Sequence, residues 1–174
     1  MSSTTETTKK ITINAMCIAL TFVATAFINV RLPIMANGGL IHLGNVPLFF
    51  AAIIFGKKTG AVAGAFGMGL FDLLSGWTAW APFTFIIVGT MGYVVGKIAE
   101  KKTTAWYIVA VIVALVIKIV GYYIAEVILY GNLVAPVASI PGNVVQVVTA
   151  GVIVVPVAVA LRKMVLKQIG GARA

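Results

Sequence analysis

The chain has 174 residues, of which 61% are hydrophobic and only 10% are charged, and its formal net charge is +9. A soluble domain has about 45–50% apolar and about 25% charged residues. This composition therefore excludes a soluble globular enzyme, which could not bury so much apolar surface, and also a disordered chain. We expect an all-α polytopic membrane protein.

Six apolar segments predict six transmembrane helices in a single domain over residues 1–174, with a polar cytoplasmic tail over 1–10. A helix that crosses a bilayer needs about 20 residues, so six helices leave only short loops. Polar turns rich in glycine, proline and lysine separate the segments. The predicted helices cover 11–30, 44–56, 59–75, 82–97, 104–130 and 141–166.

The basic residues alternate between the two sides of this arrangement. One side would carry eleven lysines and arginines, the other side Arg31 alone, and Lys118 falls inside the fifth segment. Since basic residues concentrate in cytoplasmic loops, this asymmetry predicts that both termini are cytoplasmic. The eleven are Lys9, Lys10, Lys57, Lys58, Lys97, Lys101, Lys102, Arg162, Lys163, Lys167 and Arg173.

Small residues recur along the third and fourth segments. Gly60, Gly64 and Gly67 form a stripe in the third segment, and Gly92 and Gly96 are four residues apart in the fourth. Small residues at this spacing let two helix backbones approach closely in a membrane. The pattern predicts helix packing in this region.

Three ionisable residues inside the membrane are candidates for function, because a charge in the bilayer is costly. They are Asp72, Lys118 and Glu126. Lys118, Tyr122 and Glu126 are spaced by four residues and share one helix face, which reaches Tyr130 toward the outer end. The alternative is a purely structural ion pair of Lys118 with Asp72 or Glu126.

Two amides open the sixth segment. Asn143 and Gln146 are three residues apart, hence on one face, where they either bind a polar neutral ligand or join helices by hydrogen bonds. His42, Trp77 and Trp80 lie in the nearly uncharged outer loops. With one histidine and one cysteine in the whole chain, we expect no metal site, no cofactor and no catalytic residue.

These motifs resemble those of the substrate-binding S components of energy-coupling factor (ECF) vitamin transporters, in the riboflavin-transporter-like group. The resemblance covers nearly the whole chain and is strongest in the pyridoxine and hydroxymethylpyrimidine branch. It is carried in order by H-L-G, G-x-x-x-G, D-L-L-x-G, W-A-P-x-T-F and P-G-N-x-x-Q, within residues 41–98, 121–131 and 140–146.

The resemblance implies a bacterial plasma-membrane protein that is not an enzyme and that captures a vitamin from outside. Helices four to six and the loop after the first helix would form the pocket. In that pocket we expect Trp77, Trp80 and Tyr122 to enclose a flat ring. The other substrate-binding candidates are His42, Asn45, Asp72, Thr84, Lys118, Glu126, Asn143 and Gln146.

Each polar candidate has an expected role. Glu126 would accept a hydrogen bond from a ligand hydroxyl or ring nitrogen, and Asn143 and Gln146 would read the polar edge. Lys118 would neutralise Asp72 or Glu126, or contact a ring hydroxyl. His42 and Asn45 would help to seal the loop.

The resemblance also implies partners. A small-x-x-x-small pair, Ala15 and Ala19, would dock on a membrane subunit of the EcfT type, which works with two ATPase subunits, and the S component would topple in the membrane during uptake. Relatives often carry lysine where this chain has Val88, which weakens any expectation of an anionic ligand.

The predicted ligand is a small hydroxylated pyridine or pyrimidine, such as pyridoxine or hydroxymethylpyrimidine, because aromatic walls suit a flat ring and polar groups orient it. Riboflavin is the second choice, and pantothenate and queuosine precursors stay open. Other classes are an intramembrane enzyme using Asp72, Glu126 and His42, an assembly subunit, and a secondary transporter. The last usually has two repeats, and none is visible here.

Overall fold

The computed structural model describes residues 3–31 and 40–171, which form a helical bundle with one short hairpin. The predicted outer loop over 31–43 is therefore described only at its ends, and Arg173 lies outside the described residues. The helices are α1 (Ser3–Phe27), α2 (Asn45–Phe50), α3 (Lys57–Leu74), α4 (Ala81–Ala99), α5 (Thr104–Tyr130) and α6 (Ile140–Gly171).

The six helices match the six predicted segments, and α5 agrees at both ends. Thr103 caps α5 by accepting a hydrogen bond from the Trp106 backbone N–H, and Gly131 ends it in the left-handed conformation. The start of α1 differs, because residues 3–10, predicted as a polar tail, continue the helix. Within residues 3–31 and 40–171, four helical segments are long and apolar enough to cross a membrane: Thr4–Phe27, Ala81–Ala99, Thr104–Tyr130 and Ala135–Leu161.

Between α1 and α2 lies an antiparallel hairpin that the sequence did not predict. Strand β1 (Asn29–Arg31) pairs with β2 (Leu40–His42), and Val30 faces Ile41 in the register. Strands of three residues are too short to produce a recognisable alternation of polar and apolar side chains. The hairpin brings Leu40 and His42 to the end of the bundle where α6 begins.

The second helix changes character halfway. After α2 the chain continues as a π-helical turn, Ala51–Phe55, and Gly56 then reverses direction with φ +97° before α3 begins. Such a conformation favours glycine, because a side chain would clash with the backbone. Because the chain changes direction at Gly56, the second apolar helical segment ends at Phe55 and is shorter than a full membrane crossing.

Helices α3 and α4 are in close backbone contact, as the glycine pattern predicted. A Cβ on Gly64 would lie 2.6 Å from the Val88 carbonyl oxygen, and one on Gly92 would collide with the Gly60 carbonyl. Only glycine leaves room for this approach. The contact joins α3 and α4 into one unit.

Helix α5 presents two different faces. Its exposed face is a stripe of β-branched apolar residues four apart: Ile108, Ile112, Val116, Val120, Ile124 and Ile128. Its buried face contains Ala110, Ala114 and Lys118. An apolar surface of this kind on a helix of 27 residues is suited to lipid contact, whereas the opposite face carries polar groups into the bundle.

Candidate functional site

The candidate site is a cavity of about 80 Å³ at the end of the bundle where α1 ends and α6 begins. Strand β2, the end of α3, the turn before α4, the C-terminal half of α5 and the start of α6 meet there. The residues that line it are Leu40, His42, Asp72, Trp77, Trp80, Lys118, Tyr122, Glu126, Ser139, Gly142, Asn143 and Gln146.

Aromatic rings form one wall of the cavity. The rings of Trp77 and Trp80 meet edge to face with their centroids 5.3 Å apart, and the Trp80 ring contacts Tyr130 in the same manner at 6.0 Å. These edge-to-face contacts favour a fixed orientation of each ring. The Trp77 and Trp80 rings therefore form one continuous apolar surface whose orientation is set before a ligand binds.

Lys118 and Gln146 form the central polar contact of the site. The Nζ of Lys118 donates to Oε1 of Gln146 at 2.8 Å, and Nε2 of Gln146 donates to the Leu40 carbonyl at 2.9 Å. Lysine can only donate and a carbonyl can only accept, so these two partners fix the orientation of the amide. Gln146 thus connects α5 to strand β2 through α6.

The contact of Lys118 differs from the structural ion pair considered above. Among the described residues no ion pair joins Lys118 to Asp72, although the Asp72 carboxylate lies close enough to attract the ammonium. Lys118 is 1% exposed. An ammonium group has three donors, so a hydrogen bond to Gln146 leaves it able to donate to a ligand as well.

Glu126 is held in place from the loop before α6. The Oγ of Ser139 donates to Oε2 of Glu126 at 2.7 Å, and Glu126 is 1% exposed. A carboxylate has about four acceptor positions, so it can accept further hydrogen bonds. Its predicted role as an acceptor for a ligand group stays a prediction.

Asp72 and Tyr122 are linked through α4. The hydroxyls of Thr84 and Tyr122 are 2.9 Å apart, and the Asp72 carboxylate lies near the Thr84 side chain. A carboxylate only accepts, so a consistent arrangement has Tyr122 donate to Thr84 and Thr84 donate to Asp72. Tyr122 is thereby held with its ring along the cavity.

His42 enters the site from strand β2. Its Nδ1 accepts a hydrogen bond from the Gly44 backbone N–H at 3.2 Å. Burial and, to a smaller extent, the Lys118 ammonium lower the pKa of His42 well below its usual range. The ring is therefore neutral near pH 7, with its proton on Nε2.

The structure brings together nine of the eleven predicted substrate-binding residues, and two of them lie elsewhere. Thr84 is buried behind Tyr122 and does not line the cavity. Asn45 is fully buried at the start of α2, and neither its Oδ1 nor its Nδ2 has a hydrogen-bond partner among the described residues. No residue of α4 itself lines the cavity, whereas α3, which the prediction left out of the pocket, contributes Asp72.

Three lining residues were missed from the sequence. Leu40 comes from the unpredicted hairpin, and Ser139 and Gly142 lie around the turn that opens α6. The only available signal was the Pro141-Gly142 pair, which marks a turn but not its direction. Helix periodicity cannot indicate that Ser139 folds back onto Glu126. No cluster of three potential metal ligands occurs in residues 3–31 or 40–171.

Comparisons with known proteins agree with this architecture. Residues 5–163 match the family model described as "ECF-type riboflavin transporter, S component". A solved structure described as the S component of a bacterial ECF transporter superposes with a TM-score of 0.69 over 94% of this chain and 98% of that chain, at 21% identity. That likeness supports the fold.

Two curated relatives align over most of their length. The thiamine precursor transporter HmpT of Lactococcus lactis subsp. cremoris (strain MG1363) is 32% identical over 83% of this chain and 82% of its own. An uncharacterized protein of Pyrococcus woesei is 33% identical over 72% of this chain and 83% of its own.

Proposed function

This chain belongs to the S components of ECF-type riboflavin transporters, and from that membership we propose that it captures hydroxymethylpyrimidine from outside the cell. An S component is a membrane subunit for vitamin uptake and not an enzyme, which sets the class of function. The cavity at the outer end of the bundle carries the proposal. Its aromatic wall and its polar groups fit a small heteroaromatic ring.

The size of the cavity favours a single ring. A closed apolar cavity of about 150 Å³ holds benzene. The cavity in this chain measures about 80 Å³, so even a six-membered ring with small substituents requires the lining side chains to move apart, and a larger ligand requires far more movement. Riboflavin, another possible cargo within the family, has three fused rings and a sugar-alcohol chain, and it would need a much wider site.

The polar groups favour an aminopyrimidine with a hydroxyl group. Hydroxymethylpyrimidine has an exocyclic amine that donates, ring nitrogens that accept and a hydroxyl that does both. Glu126 supplies an acceptor, Lys118 and Gln146 supply donors, and Asn143 supplies either. The Lactococcus relative, whose name gives a thiamine precursor as its cargo, supports the same choice. Pyridoxine, which lacks the exocyclic amine, is the second candidate.

The proposal includes the orientation and the partners. The eleven basic residues on one side favour cytoplasmic termini, with the cavity facing outward. Ala15 and Ala19 are exposed on α1, where they would contact an EcfT-like membrane subunit that works with two ATPases. Uptake would follow toppling of the loaded chain.

The test is ligand binding by the purified chain without the ATPases. We would follow tryptophan fluorescence, since Trp77 and Trp80 line the cavity, while titrating hydroxymethylpyrimidine, pyridoxine, riboflavin and pantothenate. We expect saturable binding of hydroxymethylpyrimidine without turnover. Glu126→Ala and Asn143→Ala should each weaken binding about 10-fold or more, because each leaves ligand groups without a partner.

Different outcomes point to different functions. Tight binding of another vitamin would correct the cargo and keep the pocket. Unchanged affinity in both variants would mean that the ligand binds elsewhere. Chemical turnover by the isolated chain would favour the enzyme, and no binding by a correctly folded chain would favour an assembly subunit.

A further inference from the structure

Tyr130 extends the polar face of α5 by one more step. Lys118, Tyr122, Glu126 and Tyr130 are each four residues apart, and residues at this spacing lie above one another on a helix. Tyr130 is the last residue of α5, so it lies at the outer end of this row. Its ring contacts that of Trp80, and its phenol is near enough to Glu126 to experience the carboxylate charge.

Two hydrogen-bonding groups at this end are buried without a partner. They are Nε1 of Trp80 and the phenol oxygen of Tyr130, neither of which has a hydrogen-bond partner among the described residues. A buried polar group without a partner is costly and calls for an explanation. Both groups carry an N–H or O–H donor, and both belong to rings in direct contact.

Glu126 lines the cavity one helical turn before Tyr130 and supplies an acceptor near these donors, whereas Tyr130 itself lies just outside the lining residues. The combination selects a particular ligand group. A hydroxyl donates one hydrogen bond and accepts two, so it matches a carboxylate on one side and an N–H or O–H on the other. An amine would leave the donors unsatisfied. A phosphate would satisfy the donors but would be repelled by Glu126.

We propose that Trp80 and Tyr130 form a hydroxyl-binding subsite at the outer rim of the cavity, in which the primary alcohol of a small heteroaromatic ligand donates to Glu126 and accepts from Tyr130 and Trp80. This inference rests on the proposed function and deepens it, because it assigns one substituent of the ligand to one part of the site. Tyr130 becomes a specificity-determining residue that does not contact the ring itself.

The experiment compares two ligands and two variants by calorimetry of the full-length chain. The ligands are 4-amino-5-hydroxymethyl-2-methylpyrimidine and 4-amino-2,5-dimethylpyrimidine, which differ by one oxygen. Tyr130→Phe removes the phenol oxygen and keeps the ring against Trp80. The matched control is Tyr123→Phe on the same helix, whose hydroxyl donates to the Leu133 carbonyl at 2.8 Å outside the cavity.

We expect Tyr130→Phe to weaken binding of the hydroxymethyl compound about 5- to 10-fold, the usual effect of one hydrogen bond. Its affinity for the dimethyl compound should stay within about 2-fold, and Tyr123→Phe should change neither affinity by more than that. Equal weakening of both ligands, or of neither, by Tyr130→Phe would overturn the subsite while leaving the proposed function intact. Failure of the unmodified chain to bind either pyrimidine would overturn the proposed function and the subsite together.

Discussion

The contact between α3 and α4 and the contact between α5 and α6 at the cavity hold helices together by opposite means. The first uses glycines that bring the backbones together, so that Gly92 faces Gly60 and Gly64 faces Val88. The second uses long polar side chains, with Lys118 reaching Gln146 across 2.8 Å. In lipid, helices gain little from the hydrophobic effect, so close packing and hydrogen bonds are the available means.

The difference shows where a ligand can bind. Backbones in contact leave no space and no free hydrogen-bonding group between them. Polar side chains hold helices apart and carry donors and acceptors that a ligand can share. The α3–α4 contact therefore provides a rigid unit, and the cavity forms on its α5–α6 side, where Lys118 and Glu126 are both 1% exposed.

The largest expected effect comes from breaking the glycine contact. Gly92→Ala would drive a methyl group into the Gly60 backbone, which cannot move as a side chain can. We expect a loss of about 3 kcal/mol in the free energy of unfolding. That loss corresponds to a Tm lower by about 6–12 °C for a chain of this size, measured by thermal unfolding in detergent.

Gly89→Ala is the matched control on the same helix. Its new methyl group would meet the Cβ of Ala65 at 3.2 Å, a side-chain contact that a small shift relieves. Alanine also favours a helix over glycine by about 1 kcal/mol. The Tm of this variant should therefore stay within about 3 °C of the unmodified chain. If Gly92→Ala and Gly89→Ala had the same Tm, the close backbone contact between α3 and α4 would not be the source of the stability.

The next largest effect is expected from removing the hydrogen bond between Lys118 and Gln146, which joins α5 to α6. Lys118→Met keeps the length of the side chain but removes its three donors, so Gln146 loses the partner that orients its amide. We expect ligand affinity to fall about 10- to 100-fold, as for a hydrogen bond from a charged group. The Tm should change by less than about 3 °C, because the lost hydrogen bond is offset by the removal of a buried charge.

A double variant tests whether the two residues act as one unit. Residues that share a hydrogen bond have non-additive effects. Lys118→Met combined with Gln146→Met should therefore weaken binding little more than the stronger single variant does. Strictly additive losses would mean that each residue contacts the ligand independently of the other.

Much of the α5–α6 site follows from the sequence, because helix periodicity places residues on a face. Lys118, Tyr122 and Glu126 at intervals of four, and Asn143 and Gln146 at an interval of three, all line one cavity. The glycine stripes also predict the α3–α4 contact. These inferences succeed because each needs only the geometry of one regular helix.

The remaining features depend on how separate elements meet. Ser139 approaches Glu126 only because a 3₁₀ turn, Ala135–Ser139, folds the chain back before α6. Leu40 reaches Gln146 only through a hairpin of three-residue strands. Neither the 3₁₀ turn nor the hairpin has a repeating pattern of polar and apolar residues from which it could be predicted. Asn45 does not line the cavity, and its position in the sequence does not reveal that it is buried inside the bundle.

The smallest expected effect concerns the charged end of the α3–α4 contact. Glu100, just after α4, accepts from Lys57 and Lys97 at 2.8 Å each. Those two hydrogen bonds, first from Lys57 and then from Lys97, lower the pKa of Glu100 to about 2. The three side chains are partly exposed, and ion pairs in contact with water contribute little to stability.

The dependence of the Tm on pH distinguishes the small stabilisation by Glu100 from the stabilisation by the glycine contact. Because the folded-state pKa of Glu100 is depressed, its contribution is complete above the unfolded pKa of about 4.5 and is lost as the pH falls through about 2. Glu100→Gln should lower the Tm by about 1–2 °C at pH 7, and this difference from the unmodified chain should shrink toward zero below about pH 3. Glu6→Gln, which removes the same charge on the exposed start of α1, serves as the control. A Glu100→Gln effect as large as that of Gly92→Ala would place the stability of the α3–α4 contact in its charges instead of its glycines, and the contrast with the α5–α6 contact would disappear.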